Sequence, residues 1–179
     1  LMQIQSIHKS YFTNFHSREI FDFDSTGNFN ETSPLKLHMT DNENGYWAGT
    51  NKNDFNEFAE KISLRSNKVI TNVKLTVAKL SVTDTTKSLL IRFLDGETYP
   101  ETCVDSIIVP FKSLKEDYVN SIELPHMIKV DSTIFVSLNI FQLEQSDTFA
   151  LYMSESTKED KSHSYFKVNG DWMNYNMYD

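Results

Sequence analysis

The chain has 179 residues, which is enough for one sizeable core and short for two. Hydrophobic residues make up 39% and aromatic residues 13%, a composition that excludes a disordered chain and favours strands over helices. The formal net charge of -8 and the scattered lysines and arginines argue against nucleic-acid binding, which requires a concentrated basic surface.

The N-terminal residues 1–18 mix polar and aromatic side chains, and we predict that they form a first strand or a connector. Residues 19–179 are predicted to form a single domain, because no linker rich in proline, glycine or serine divides them. No apolar run approaches the length of a membrane-spanning helix, so no transmembrane segment is expected in this chain.

The first motif in chain order, Asp22–Asn28, partly matches a calcium-binding loop. Oxygen-bearing side chains alternate along it and glycine stands at the sixth place, which suits a hard cation. The twelfth place, however, is Ser33 where a bidentate glutamate belongs, and no flanking helices are predicted. The pattern favours a plain turn, with Asp22 and Asp24 as candidate calcium ligands in the alternative. A structural calcium ion elsewhere is a further alternative, and no other cofactor is predicted.

The most unusual local sequence is Gly45–Asn51, in which two of the five glycines flank a Tyr-Trp pair. Tyr46 and Trp47 can stack on sugar rings and Asn51 can bond hydroxyl groups, so these three are candidate ligand-binding residues. The alternative, which the pattern favours, is that Trp47 anchors the core and the glycines permit tight turns. A glycan-binding role for this segment requires Trp47 to be exposed in a groove or loop.

Apolar residues with helical spacing follow this segment, and they are Phe55, Phe58, Ala59 and Ile62. Asp54 and Glu57 are spaced like a capping box ahead of them. We therefore predict one short helical turn here, leading into a strand.

Farther along the chain, apolar residues alternate with polar residues at a period of two, with turn-forming residues between the runs. The alternating positions are Val73, Leu75 and Val77; Leu89, Ile91 and Phe93; Ile107, Val109 and Phe111; Ile122 and Leu124; Ile134, Val136, Leu138 and Ile140; Phe149, Leu151 and Met153; and Phe166 and Val168. Short strands separated by polar turns predict an all-β fold, a two-sheet antiparallel β-sandwich of jelly-roll type with at most one short helix.

The single cysteine, Cys103, excludes an intrachain disulfide and a cysteine metal cluster. It lies in an apolar run, which predicts a core or half-buried residue rather than a reactive thiol. No standard catalytic motif is present, and the five histidines have no metal-ligand spacing. Neighbouring carboxylates are typical of solvated turns, so no catalytic residue is assigned. A hydrolase whose carboxylates are brought together by the fold is the second alternative.

The segment Gly45–Asn51 followed by Phe58–Ile62 resembles a stretch of accessory domains in secreted Bacteroidota proteins, where Gly-x-x-x-Gly-x-Asn precedes an Ala-containing strand. The downstream order of residues 133–138, 149–152, 164–166 and 170–172 is also similar. The resemblance spans roughly residues 19 to 175. It implies a jelly-roll-like sandwich, often attached to peptidases or other surface proteins, with no agreed catalytic residues.

A tripeptide pattern points to the same cell compartment. Bacteroidota attach O-glycans to extracytoplasmic proteins at Asp, then Ser or Thr, then usually an aliphatic residue or Thr, and the matches are Asp24–Thr26, Asp84–Thr86, Asp105–Ile107 and Asp131–Thr133. We therefore expect a non-catalytic, monomeric accessory or interaction module of a secreted or cell-surface bacterial protein. Its expected partner is a preceding domain of a larger parent protein, or a glycan or host protein. A carbohydrate-binding module is the first alternative.

Overall fold

The computed structural model describes residues 2–10, 20–26, 35–40, 44–64, 68–154 and 163–175. These residues form strands joined by turns and loops, with a 3-10 turn at Phe111–Ser113, and they include no helix long and apolar enough to cross a membrane. The strands are β1 (Met2–Ser10), β2 (Ile20–Thr26), β3 (Leu35–Lys36), β4 (Glu57–Ser63), β5 (Lys68–Ser81), β6 (Ser88–Leu94), β7 (Cys103–Pro110), β8 (Tyr118–Val130), β9 (Thr133–Asn139), β10 (Thr148–Leu151), β11 (Met153–Ser154), β12 (Ser164–Val168) and β13 (Asp171–Asn174). The prediction of an all-β, two-sheet antiparallel fold is confirmed.

The larger sheet has the strand order β13-β12-β4-β9-β6-β7. The smaller sheet is built around β5, which pairs with β8 along one edge. Along its other edge β5 pairs with β1 over residues 69–75 and then with β10 over residues 77–81, and β2 lies beyond β1. The boundary predicted near residue 18 falls within residues 11–19, which lie outside the described residues.

The path of the chain is that of a jelly roll. From β4 to β10 the chain changes sheet at every connection except the β6–β7 hairpin, which gives the neighbour orders β4-β9-β6-β7 and β8-β5-β10. The segment that contains Gly49 lies along the remaining side of β10. There the Thr50 N–H donates to Phe149 O at 2.8 Å and the Leu151 N–H donates to Ala48 O at 2.9 Å.

The core lies between the two sheets, where their apolar faces meet. The alternating positions of β5, β6 and β9 are nearly all fully buried, as the period of two requires. These buried residues include Val73, Leu75, Val77, Leu89, Ile91, Phe93, Val136 and Leu138. Phe111 and Phe149 close the space between the sheets with an edge-to-face contact, their ring centroids 5.4 Å apart.

The helical turn predicted for Phe55–Ile62 is wrong, because Glu57–Ser63 forms β4. Phe58 and Ile62 face the core between the sheets, whereas Ala59 belongs to a separate apolar cluster on the opposite side of the same sheet. A strand buried on both faces loses the alternation of apolar and polar residues. Its apolar residues can then fall at helical spacing by coincidence.

The prediction that Cys103 is a core or half-buried residue is also wrong, because Cys103 is exposed at the start of β7. Within the described residues β7 pairs only with β6 and forms an edge of the larger sheet. An edge strand buries fewer of its apolar residues than a central strand does. Ile108 is accordingly 72% exposed, and Val109 is the apolar residue that β7 buries.

We expect Cys103 to react with a water-soluble disulfide reagent such as DTNB in the folded protein, at one thiol per chain, because its side chain is accessible. The measurement is the absorbance of released thionitrobenzoate without denaturant, with Cys103→Ser as the unreactive control. Reaction only after unfolding would contradict the exposed position.

Candidate functional site

The amide of Asn51 organises the loop that the sequence singled out. Its Nδ2 donates to Gly49 O at 2.9 Å and to Phe55 O at 3.1 Å. Its Oδ1 accepts the backbone N–H of Asn53 at 3.0 Å and of Phe55 at 3.1 Å. Two donors and two acceptor positions are the full capacity of the side-chain amide, so Asn51 acts as a brace within the loop.

Trp47 is half-buried and packs against the main core. Its ring stacks on Phe55 at a centroid distance of 5.8 Å and meets Phe166 and Tyr175 edge-on at 5.9 and 5.6 Å. The Tyr175 hydroxyl donates to Trp47 O at 2.6 Å, and burial raises the pKa of Tyr175, which keeps this donor protonated. These contacts give Trp47 a packing role. Ligand binding by Trp47 and by the half-buried Tyr46 stays a prediction.

The two glycines of this loop stand where its backbone contacts other backbone. A Cβ at Gly45 would lie 2.3 Å from Thr50 O, and the φ of Gly45 is +114°. A Cβ at Gly49 would lie 2.1 Å from Phe149 O and 2.8 Å from the Cα of Ala150 in β10. The glycines therefore permit the close approach that docks the loop onto β10.

The candidate calcium ligands Asp22 and Asp24 lie in β2, where they pair in register with His8 and Ser6 of β1. The structure thus places them in a strand, not in a turn. The remainder of the matched pattern, residues 27–33, lies outside the described residues. Among the residues that are described, no group of three or more His, Cys, Asp or Glu side chains is arranged to hold a metal ion.

A different set of residues, both polar and apolar, lies on the face of the larger sheet that points away from the core, which we call the outer face. The pairing of β4 with β9, of β9 with β6 and of β12 with β13 places these residues side by side. They are Glu57, Ala59 and Lys61 of β4, Leu90, Arg92 and Leu94 of β6, Phe135, Ser137 and Asn139 of β9, Tyr165 and Lys167 of β12, and Trp172 of β13.

One end of the outer face is apolar and covered. Leu94, Phe135 and Tyr165 form a buried cluster with Ala59, and Tyr99 from the β6–β7 loop meets the Tyr165 ring edge-on at 5.8 Å. The Lys61 ammonium donates to the backbone carbonyl of Glu97 in this loop. The loop therefore folds over this end of the sheet and leaves the other end for contact with solvent.

The other end contains a cluster of three charges, Glu57, Arg92 and Lys167, which we call the Glu57 cluster. Glu57 Oε1 accepts the Ser137 hydroxyl at 2.7 Å and Arg92 Nη1 at 3.2 Å, and Glu57 Oε2 lies 3.6 Å from Lys167 Nζ. The Glu57 side chain is 5% exposed, whereas the side chains of Arg92 and Lys167 are each 31% exposed. A buried carboxylate needs hydrogen bonds or opposite charges to offset the loss of its hydration. Here the same contacts hold two accessible cations in fixed positions.

An aromatic ring borders this cluster. The Lys167 ammonium lies over the ring of Trp172, 5.2 Å from the ring centroid, and Trp172 is partly exposed. The formal sum over the cluster is one positive charge in a protein whose net charge is -8. This end of the outer face therefore presents ordered cationic and aromatic groups together, which is an arrangement suited to binding a ligand.

A groove of about 400 Å³ lies toward the opposite ends of the strands and is lined by Asp95, Gly96, Glu97, Glu101, Thr102, Ser132 and Thr133. Its lining is polar and includes three carboxylates. Gly96 and its neighbours belong to the loop after β6, so the covered apolar cluster around Leu94 lies between this acidic region and the other end of the outer face.

The Glu57 cluster is not recognisable in the sequence, where Glu57 has the spacing of a helix-cap residue and no local pattern links Trp172 to a charge. The available signal was that Arg92, Ser137 and Lys167 occupy polar positions between apolar neighbours in predicted strands. That pattern identifies residues on an outer face, but the order of the strands decides which of them meet.

The fold and the outer face define a jelly-roll β-sandwich with a charged, aromatic-bordered face on its larger sheet. No protein-family model, curated protein or solved structure matches the chain.

Proposed function

We propose that this chain is a non-catalytic interaction module of a secreted or cell-surface bacterial protein and that it binds through the outer face. The observation that carries the proposal is the Glu57 cluster, in which a buried carboxylate fixes two accessible cations beside Trp172. Side chains that are already held in place lose little conformational entropy when a ligand binds, so fixed cations favour recognition.

The chemistry of the cluster fits binding better than hydrolysis. Glycoside hydrolysis uses two carboxylates on opposite sides of the scissile bond, one of them as a proton donor. In the Glu57 cluster a single carboxylate is engaged by Ser137, Arg92 and Lys167. Those contacts direct its oxygens toward the protein, which is the arrangement of an anchor for the cations.

The extracytoplasmic location and the attachment to a larger parent protein belong to the same proposal. Their support is the resemblance to accessory domains of secreted Bacteroidota proteins and the exposure of Thr85, Ser106 and Ser132, the hydroxyl residues of three glycosylation patterns. An immunoblot of fractionated source cells tests both points. A band well above 20.8 kDa supports the accessory role, a band near 20.8 kDa in the envelope or medium supports independent action, and a cytoplasmic band contradicts the location.

A glycan array probed with the folded chain tests binding by the outer face. We expect at least one class of glycan to bind and Trp172→Ala to weaken that binding about fivefold to tenfold, because an aromatic ring contributes about 1 kcal/mol or more to such contacts. Tyr118→Ala is the matched control, since Tyr118 is a 55% exposed aromatic residue of β8 in the smaller sheet. An array without signal, or equal losses in the two variants, would contradict the proposal.

A further inference from the structure

We infer that the outer face binds a carboxylate-bearing oligosaccharide, with the acid groups against Arg92 and Lys167 and a sugar ring on Trp172. This inference rests on the proposed function and specifies its ligand. The recognition groups lie together because Lys167 of β12 pairs with Trp172 of β13 and contacts Glu57 of β4, which in turn contacts Arg92 of β6.

The charges of the Glu57 cluster favour an acidic ligand. Arg92 and Lys167 share one carboxylate, so their combined positive charge exceeds that of the buried anion. The acidic residues of the β6–β7 loop, Asp95, Glu97 and Glu101, follow Leu94, which belongs to the covered apolar end of the outer face. A carboxylate that approaches the Glu57 cluster therefore meets two partly desolvated donors whose positions are already fixed.

The shape and chemistry of the outer face favour a saccharide. The register aligns a row across the strands from Ile108 at the β7 edge to Trp172 of β13, and it runs through Leu90, Asn139, Glu57 and Lys167. Six neighbouring strands span about 24 Å, which accommodates an extended chain of several sugar rings. An exposed isoleucine and a partly exposed tryptophan offer apolar surface for the C–H faces of such rings.

Two other classes of acidic partner fit the molecule less well. Nucleic acid would meet a protein of net charge -8 with only a small cationic region. A peptide that adds a strand binds through main-chain hydrogen bonds along an edge strand, which is β7 or β13 in the described larger sheet, whereas the Glu57 cluster lies on the face of that sheet. An oligosaccharide needs neither a broad basic surface nor a free strand edge.

Titration calorimetry on the full chain compares α-1,4-linked tetragalacturonate with its methyl ester, which has the same rings and no charge. We expect the acid to bind and the ester to bind at least about tenfold more weakly, because a charge-assisted hydrogen bond contributes about 1.5–3 kcal/mol. Lys167→Met is expected to weaken binding of the acid by about tenfold and Lys167→Arg by less than about twofold. Lys129→Met is the control, since it removes one positive charge from an exposed position in the smaller sheet.

Equal affinities for the acid and the ester, or equal effects of Lys167→Met and Lys129→Met, would overturn the inference. If Lys167→Met does not fold, the acid-ester comparison and Lys167→Arg decide. Absence of binding to the tetragalacturonate also overturns the inference. Binding of a neutral glycan that Trp172→Ala abolishes would still support the proposed function. An array without any signal would remove both.

Discussion

Replacing Gly49 by alanine is expected to lower the free energy of unfolding by about 3–4 kcal/mol, because the new methyl group has no space. A Cβ at this position would lie 2.1 Å from Phe149 O and 2.8 Å from the Cα of Ala150. Both contacts are with the backbone of β10, so no side chain can rotate away. Relief of the clash requires the loop to separate from β10 and to lose the hydrogen bond from the Thr50 N–H to Phe149 O.

The measurement is urea unfolding followed by the fluorescence of Trp47 and Trp172, which pack against the apolar clusters on opposite faces of the larger sheet. Gly170→Ala is the control, because a Cβ there meets nothing within 4 Å although the φ of Gly170 is +94°. It isolates backbone strain, which is expected to contribute about 1 kcal/mol. Equal effects of the two substitutions would show that the loop does not dock closely on β10.

The second large effect is expected at Asp147, which forms a buried ion pair with Lys87. The Asp147 side chain is 2% exposed, and its Oδ2 accepts Lys87 Nζ at 2.7 Å and the Glu144 N–H at 2.9 Å. Asp147→Asn replaces a carboxylate that accepts hydrogen bonds from the Lys87 ammonium and the Glu144 N–H with a neutral amide. We expect it to lower the free energy of unfolding by about 2–3 kcal/mol at neutral pH.

The same pair predicts how stability depends on pH. Burial opposes ionisation of Asp147, but the backbone N–H of Glu144 and the Lys87 ammonium outweigh it and hold the pKa of Asp147 below its ordinary value. A lowered pKa in the folded state contributes stability that is present above about pH 4 and is lost as the pH falls through the folded-state pKa. The difference between wild type and Asp147→Asn should therefore shrink as the pH falls below about 4.

Urea unfolding at a series of pH values measures this difference. Glu144→Gln is the matched control, because Glu144 lies 3.4 Å from the same Lys87 Nζ and is 74% exposed. An exposed pair is expected to contribute less than about 0.5 kcal/mol. A pH-independent difference for Asp147→Asn, or an equally large effect of Glu144→Gln, would contradict the assignment of the buried pair.

The central strands could be predicted from the sequence because each has one buried face and one outward face. Val73, Leu75 and Val77 illustrate the rule, since the core of β5 follows their spacing of two. The rule failed at Ala59 because the β6–β7 loop covers the other side of β4, and it failed at Cys103 because an edge strand needs little burial. Both errors arise from neighbours that are distant in the sequence.

The candidate site was beyond sequence reasoning for a related reason. Glu57, Ser137 and Arg92 belong to three strands that are neighbours only through the order β4-β9-β6. Each residue alone has the ordinary pattern of an outward-facing polar side chain. Their separation along the chain is 35 residues between Glu57 and Arg92 and 80 between Glu57 and Ser137, so no local motif can link them.

The jelly-roll path also bears on when the chain can fold during synthesis. β4 pairs with β9 and β12, and β5 pairs with β8 and β10, so β5 lacks its last partner until residue 151 has been made and β4 until residue 168. Pairings between distant segments are slow to form, and a chain that awaits them keeps its apolar strand faces accessible. A polypeptide with this order of pairing therefore remains incompletely folded until β12 has been made.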